Sequence, residues 1–326
     1  MKRFVPVVVF FAALLLVPAF AGTFQLTLVT QGIVWGIVGL SVWLLLRFLD
    51  LPSFGHAAFF GVGAYTAGLA ITKWEIDNVF VGLALAIALA CVVAFPIALI
   101  AARLNNISFL LVTLAFAEML HSVARRWDEV GGSDGLVGVL RPNADPLPSV
   151  DLTEPATFYY FALALLAASL LVLWAVRRSP FGGVLVGIRE SEQRMAALGY
   201  NAVAYRAAAF VLSAAIAGAA GVVNAYLNRF ADPGDLSALV SARGLLIAVI
   251  GGASLLGAPI AAIALTELED ALSSWTERWL GLLGLVYVLV ALLAVHQVRL
   301  GTLWTDVRQT VGRLIGGRRT SLEPDA

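Results

Sequence analysis

The sequence predicts an all-α fold, a polytopic transmembrane helical bundle of about 9–10 membrane segments that includes broken or re-entrant segments. Composition is the first reason. Of the 326 residues, 60% are apolar and 13% are charged, whereas soluble domains average roughly 45–50% apolar and about 25% charged residues. A soluble fold could not cover its surface with so few polar groups, so lipid must be the solvent for much of the chain.

The second reason is a series of apolar stretches, each long enough to cross the ~30 Å hydrocarbon core as a helix of about 20 residues. They lie at 4–22, 27–46, 54–72, 79–102, 107–124, 157–176, 206–227, 241–268 and 279–297. The stretch 241–268 is too long for one helix, and it contains Gly244, Gly251, Gly252, Gly257 and Pro259. A broken or re-entrant segment is therefore predicted there, where protein or a water-filled cavity can surround irregular backbone.

Basic residues in the short connections predict the orientation, because lysine and arginine are retained on the cytoplasmic side. They cluster before the first span, in the connection 177–206 and in the tail 298–326. With the N-terminus inside, these clusters lie in the cytoplasm and the acidic stretch 125–154 lies outside. Simple alternation over the apolar stretches would leave the tail outside. The stretch 241–268 is therefore expected to contribute two passes or a re-entrant hairpin, which makes the C-terminus cytoplasmic.

The first segment admits two interpretations. Lys2 and Arg3, an apolar stretch and then Ala19-Phe20-Ala21 are similar to a signal peptide with an A-x-A cleavage site. Retention as a first transmembrane helix is favoured, because multi-span inner-membrane proteins seldom need a cleaved signal. In both cases the next segment starts from the outside.

The chain is interpreted as a single transmembrane domain over 1–326. Two motifs share the spacing G-x-A-x-x-x-G, one at 55–61 and the other at 251–257. Many transporters are built from repeated halves whose interrupted segments meet at the bilayer midplane. A pseudo-repeat with halves 27–176 and 206–297 is therefore an open hypothesis, with the connection 177–206 and the tail 298–326 outside the halves.

The same motifs predict a translocation path, because glycine lets interrupted helices expose backbone polar groups to a cavity. The candidate path residues are Gly55, His56, Gly61, Gly63, Tyr65, Thr66, Gly251, Gly252 and Gly257. Helix packing is the competing interpretation, since small residues recur every four positions from Ala57 to Gly68 and allow another helix to approach closely. For the small residues between Ser213 and Gly221, tight packing is a full explanation.

The connection 177–206 contains a predicted short cytoplasmic helix at 186–199, which Gly199 should terminate. A soluble partner can grip an amphipathic helix of this kind in a cleft, although a solvated linker is the alternative. The candidate coupling residues are Arg189, Glu190, Glu192, Ala196, Ala197 and Gly199.

Several chemistries are excluded by absent motifs. The sequence has no G-x-x-x-x-G-K-[ST] phosphate loop, no H-E-x-x-H and no Cys/His cluster with metal spacing, so neither catalysis, a metal nor a cofactor is expected. A single cysteine, Cys91, cannot build a disulfide framework. No basic stripe with interleaved aromatics points to nucleic acid. Glu118, spaced with His121 and Ser122, leaves a proton-coupled secondary carrier as the alternative function.

Six separated stretches of the sequence together form a recognisable set of motifs. They lie at 53–66 (SFGHAAFFGVGAYT), 113–120, 131–136, 180–182 with 188–192, 209–218 and 249–257. Together and in this order they resemble the LivM-type permease subunits of bacterial branched-chain amino-acid ABC importers. The resemblance covers most of the chain, and the first stretch matches the family's S-x-G-H-A-A-F-F-G-x-G-A-Y segment.

This resemblance implies a permease in the bacterial inner membrane that does not itself hydrolyse ATP. Its expected partners are a second related permease subunit, two cytoplasmic ABC ATPase subunits, a periplasmic solute-binding protein and membrane lipid. The helix at Arg189 to Gly199 would then be the coupling segment that seats on the ATPase. Related permeases handle branched-chain or other amino acids, amides, urea or small aromatic acids, and no residue chooses among these substrates.

Overall fold

The computed structural model describes residues 5–104, 106–145, 151–275, 278 and 281–288. Their helices are α1 (Val5–Phe20), α2 (Thr23–Leu49), α3 (His56–Thr72), α4 (Val79–Ala101), α5 (Asn106–Arg126), α6 (Pro155–Arg178), α7 (Pro180–Glu190), α8 (Glu192–Ala197), α9 (Ala202–Asn228), α10 (Ala238–Gly251) and α11 (Gly257–Trp275). Residues 281–288 are also helical. Strand within these residues is limited to the antiparallel pair β1 (Leu136–Val137) and β2 (Phe230–Ala231).

Five of these helices are long and apolar enough to cross a membrane: α2, α4, α5, α6 and α9. Each predicted apolar stretch contains a helix, and the predicted fold class is confirmed. For the last stretch, 279–297, the structure describes helix only at 281–288, and the tail 298–326 lies outside the described residues.

Helix α2 forms the centre of the bundle, because nearly every side chain from 32 to 45 is apolar or small and buried. A helix that is apolar all round is stable only when other helices surround it. Helices α6, α9, α10 and α11 pack against it, and α3 and α4 pack against α9. The turn between α2 and α3 is sharp, since Asp50 ends α2 in the left-handed conformation with φ 56°.

Helices α3 and α9 approach each other through glycine. A Cβ on Gly63 would overlap the backbone of Gly218, and a Cβ on Gly221 would overlap the carbonyl of Phe60. Small residues permit this separation and let the two backbones pack directly. The packing interpretation of the small residues between Ser213 and Gly221 is therefore confirmed.

The stretch 241–268 is broken, as predicted. Helix α10 ends at Gly251 and α11 begins at Gly257, with Gly252 at φ 63°, a conformation that favours glycine. The backbones of Gly251 and Gly257 touch across the turn, so neither position has room for a side chain. The Trp43 Nε1–H of α2 donates a 2.8 Å hydrogen bond to the Gly252 carbonyl and fixes the turn against the central helix.

Candidate functional site

The N-termini of α3 and α10 meet inside the bundle. Ser241, in the first turn of α10, accepts a hydrogen bond from the Ala57 N–H at 2.9 Å and donates one to the Phe54 carbonyl at 2.6 Å. The Phe54 N–H in turn donates to Thr113 Oγ1 of α5 at 3.2 Å. One hydroxyl therefore satisfies both a free N–H of the first turn of α3 and a carbonyl of the preceding loop. The arrangement places the positive ends of two helix dipoles side by side.

His56, the first residue of α3, is fully buried. Its Nε2 lies 2.6 Å from Ser213 Oγ of α9, and that hydroxyl donates to the Ser41 carbonyl of α2 at 2.5 Å. Because the Ser213 hydroxyl has a single proton and donates it to Ser41, the proton on the first bond belongs to His56 Nε2. The histidine thus joins α3 to α9 and α2 as a hydrogen-bonded core residue.

The other α3 candidates are buried within this chain. Gly61 lies against Leu236, Gly63 against Gly218, and Thr66 Oγ1 donates to the Val62 carbonyl at 2.6 Å. Tyr65 is 7% exposed. Gly55 donates its N–H to Ser53 Oγ at 3.2 Å. The structure therefore brings these residues together as a packed segment inside this chain.

The two glycine motifs occupy different positions in the fold. In the first motif Gly55 precedes α3 and Gly61 lies inside it, whereas in the second Gly251 ends α10 and Gly257 begins α11. Their identical spacing is thus not matched by equivalent secondary structure. Gly252 is exposed and lies in the turn between the second pair.

The predicted single helix at 186–199 is wrong in one respect, because Ser191 divides it. This residue is extended, with φ −163°, and its side chain caps α8 by accepting from the Arg194 N–H. A serine competes with the helix for backbone hydrogen bonds, so it favours a cap over a helix interior. Arg189 and Glu190 consequently belong to α7, whereas Glu192, Ala196 and Ala197 belong to α8.

Gly199 ends α8 as predicted. It adopts φ 89°, its N–H donates to the Ala196 carbonyl, and the Tyr200 N–H donates to the Met195 carbonyl. These two bonds form the Schellman motif that glycine permits at a helix C-terminus. Leu198 is 72% exposed beside it, so the end of α8 presents an apolar side chain to its surroundings.

Two polar contacts fix the α7–α8 segment to the transmembrane helices, and a third contact joins α8 to α7. Glu192 pairs with Arg206 of α9 at 2.9 Å, and Arg206 is buried. Arg189 donates to the Arg47 carbonyl at the end of α2 at 2.6 Å. The Met195 side chain packs against Gly187 of α7. Movement of α8 would therefore be transmitted to α9 and α2.

Glu118 connects α5 to α10. Its Oε1 accepts a hydrogen bond from the Ala238 N–H at 3.1 Å, and its Oε2 lies 3.4 Å from His121 Nδ1. Ala238 is the first residue of α10, where the helix dipole stabilises a negative charge. The Glu118 side chain is nonetheless 48% exposed.

Sequence reasoning missed an ion pair inside the bundle. Arg243 of α10 lies 2.6 Å from Glu269 of α11, and its guanidinium stacks over the Trp35 ring of α2 at 4.1 Å. Tyr287 donates a further 2.9 Å hydrogen bond to Glu269. The sequence did contain a signal for this ion pair, because Arg243 lies within the apolar stretch 241–268 and a charge within the membrane requires a partner.

The loop between α9 and α10 holds a second polar cluster that sequence reasoning missed. Asp232 and Asp235 form a capping box, and Asn224 Nδ2 donates to both Asp235 oxygens at 3.2 and 3.3 Å. Burial raises the pKa of the Asp235 carboxyl above its usual range, because burial disfavours the charged form. The cluster orders the loop that places Leu236 against Gly61.

The comparisons with known proteins decide the family. A family model described as the permease component of the branched-chain amino acid transport system matches residues 24–295. The chain belongs to this permease family. The permease is therefore a multi-pass membrane protein and a component of a transport system. Its family is the one that the sequence resemblance indicated.

Two relatives of the permease carry the name high-affinity branched-chain amino acid transport system permease protein LivM. The protein from Salmonella typhimurium (strain LT2) is 26% identical over 307 residues, which cover 86% of the permease and 72% of the relative. The protein from Escherichia coli (strain K12) is 27% identical over the same shares. No solved structure matches the permease.

Proposed function

We propose that this chain is a membrane-spanning permease subunit of an ATP-driven importer for branched-chain or related amino acids. The observation that carries the proposal is the family match over residues 24–295, supported by the names of the two LivM relatives. In this account the subunit is non-catalytic, and separate partner subunits hydrolyse ATP. A proton-coupled carrier that uses Glu118 has no support from these comparisons.

The proposed assembly contains a second related permease subunit, two cytoplasmic ABC ATPases and a periplasmic binding protein. The α7–α8 segment supports the ATPase part of this proposal. Helix α8 has no buried residue, the exposed Leu198 follows its last residue, and Glu192 fixes it to Arg206 of α9. A soluble ATPase can move membrane helices only through an element that is rigidly attached to them.

The proposed topology places α7 and α8 in the cytoplasm. Six helices, α1 to α6, precede this segment, so an N-terminus inside returns the chain to the inside. Helices α9, α10 and α11 and the segment 279–297 then bring the C-terminus back to the cytoplasm. A reporter that is active only in the periplasm, fused after Ala326, should be inactive. An active reporter at that position would contradict the topology.

The path proposal at Gly55 to Thr66 and Gly251 to Gly257 remains open. The convergence of two helix N-termini near Ser241 supports it, because half-helices of this kind bind polar groups in transporters. Burial of the α3 residues within this protomer favours a role in shaping the path over direct contact with solute. The repeat of halves 27–176 and 206–297 also stays a prediction.

The function is tested by purification with its partners. When the permease is produced together with the ATPases and the second permease, we expect one complex whose ATP hydrolysis rises when the binding protein is added with leucine. The permease purified without ATPases should hydrolyse no ATP. Hydrolysis by the permease alone, or a complex without ATPases, would contradict the proposal.

A further inference from the structure

The polarity of the exposed face of helix α5 changes along its length. The half nearer the N-terminus exposes apolar or small residues, which include Ile107, Leu111 and Ala115. The other half exposes the polar residues Glu118, Ser122, Arg125 and Arg126 beside the apolar Met119 and Val123. Glu118 precedes the helix end by eight residues, or about 12 Å at 1.5 Å per residue. This depth lies within a ~30 Å hydrocarbon core, where a charged side chain normally faces a bundle interior or a water-filled cavity.

The neighbouring helix α4 has an exposed face with the composition expected of a lipid-facing surface. Its exposed side chains are apolar from one end to the other and include Phe80, Leu85, Leu89, Val92, Phe95 and Leu99. Hydrocarbon solvates such a face without penalty. The contrast indicates that the C-terminal half of α5 contacts water or a polar solute, whereas α4 contacts lipid.

Two adjoining cavities lie on this half of α5. A charged cavity of about 390 Å³ is lined by Glu118, His121, Ser122, Arg125, Arg126 and Ser133. A mainly apolar cavity of about 470 Å³ is lined by Met119, Ser122, Val123, Arg126 and Trp127. Ser122 and Arg126 line both, and both cavities are open at the surface of this chain.

The charged groups retain capacity for a ligand. Glu118 accepts one hydrogen bond from Ala238 and contacts His121, whereas an ionised carboxylate offers about four acceptor positions. Arg125 and Arg126 are exposed, and no carboxylate of the described part of the chain pairs with either. The cavity thus presents an available anion and available cations within one site.

We propose that these two cavities form a binding subsite for a zwitterionic amino acid with an aliphatic side chain. Glu118 receives the ammonium group, Arg125 and Arg126 receive the carboxylate, and the cavity of Met119, Val123 and Trp127 receives the side chain. This inference rests on the proposed function and specifies its substrate subsite, at the external end of α5 in the proposed topology.

Thiol labelling of the assembled complex tests whether water reaches the exposed face of the C-terminal half of α5. In a Cys91→Ser background, a membrane-impermeant thiol reagent added outside should modify Ser122→Cys. Ala84→Cys, at a similar distance from the external end of α4, is the control that faces lipid and should remain unmodified. An unlabelled Ser122→Cys in a complex that still transports leucine would overturn the subsite and leave the proposed function standing.

Protection by substrate analogues tests the zwitterion assignment. Leucine at millimolar concentration should slow the modification of Ser122→Cys, and 4-methylpentanoate and 3-methylbutylamine should not, because each lacks one of the two charges. Glycine, which lacks the aliphatic side chain, should protect less than leucine. Equal protection by leucine and 4-methylpentanoate would exclude ammonium recognition, and absence of protection by leucine would overturn the subsite.

Glu118→Gln separates recognition from structure, because the amide oxygen can still accept the Ala238 N–H and preserve the cap on α10. We expect normal labelling of Ser122→Cys in this variant and a leucine concentration for half-protection that rises roughly tenfold or more. Unchanged protection would exclude Glu118 as the ammonium partner. Leucine protection in a complex that shows no ATP-driven uptake would instead contradict the proposed function and retain the subsite.

Discussion

Ala197→Pro should leave a permease that inserts into the membrane but neither retains the ATPase nor supports amino-acid uptake. Ala197 is the last residue of α8, and proline there removes its N–H and clashes with the preceding turn; the same change in a helix interior costs about 3 kcal/mol. Helix α8 has six residues, so a penalty of this size disrupts the whole element. The measurements are the amount of ATPase that copurifies and the rate of uptake in cells.

Ala197→Ser is the matched control, because it keeps the backbone donor at the same exposed position and lowers helix propensity by only about 0.5 kcal/mol. It should behave as the unmodified protein does. If Ala197→Pro also retains the ATPase and transports at the normal rate, the α7–α8 segment is a linker and the coupling proposal is wrong. Glu190→Arg reverses one charge in α7 and tests whether the ATPase recognises a negative charge in this segment.

Gly63→Ala should destabilise the permease strongly. The new methyl group would overlap the backbone of Gly218, and a helix backbone cannot move aside as a flexible side chain can. Helices α3 and α9 would have to separate, which also disturbs the contact of Gly221 with Phe60. Overpacking of this kind costs about 1–3 kcal/mol and occasionally more. Thermal unfolding of the purified protein should therefore begin at a lower temperature.

Gly183→Ala is the control for this substitution. Gly183 lies in helix α7, and a Cβ there would meet no atom of the described structure within 4 Å. Alanine at an open helical position stabilises by roughly 0.5–1 kcal/mol relative to glycine. Equal thermal stability of Gly63→Ala and Gly183→Ala would show that the α3–α9 contact has room for a methyl group at residue 63.

The positions of the helices could be predicted because composition alone reveals them. A stretch that must cross hydrocarbon needs about 20 apolar residues, and this rule located each helix that the structure describes from α1 to α6, as well as α9. The break between α10 and α11 was also predictable, since Gly251, Gly252 and Gly257 permit backbone conformations that other residues resist.

The partners across the bundle could not be predicted. The bonds from His56 to Ser213 and from Ser241 to Phe54 join residues 157 and 187 positions apart, and no local pattern encodes which distant hydroxyl a buried group meets. The break at Ser191 was missed for a different reason. A serine inside an amphipathic stretch is compatible with both a continuous helix and a cap, and only the packing of α7 and α8 decides between them.

Uptake by reconstituted vesicles tests the central proposal most directly. The complete complex is placed in liposomes with ATP enclosed on the side of the ATPases, and labelled leucine is added outside with the binding protein. We expect accumulation that requires both ATP and the binding protein and that persists when a protonophore removes the pH gradient. Accumulation of leucine by the permease alone, driven by a pH gradient without ATP or ATPases, would contradict the account.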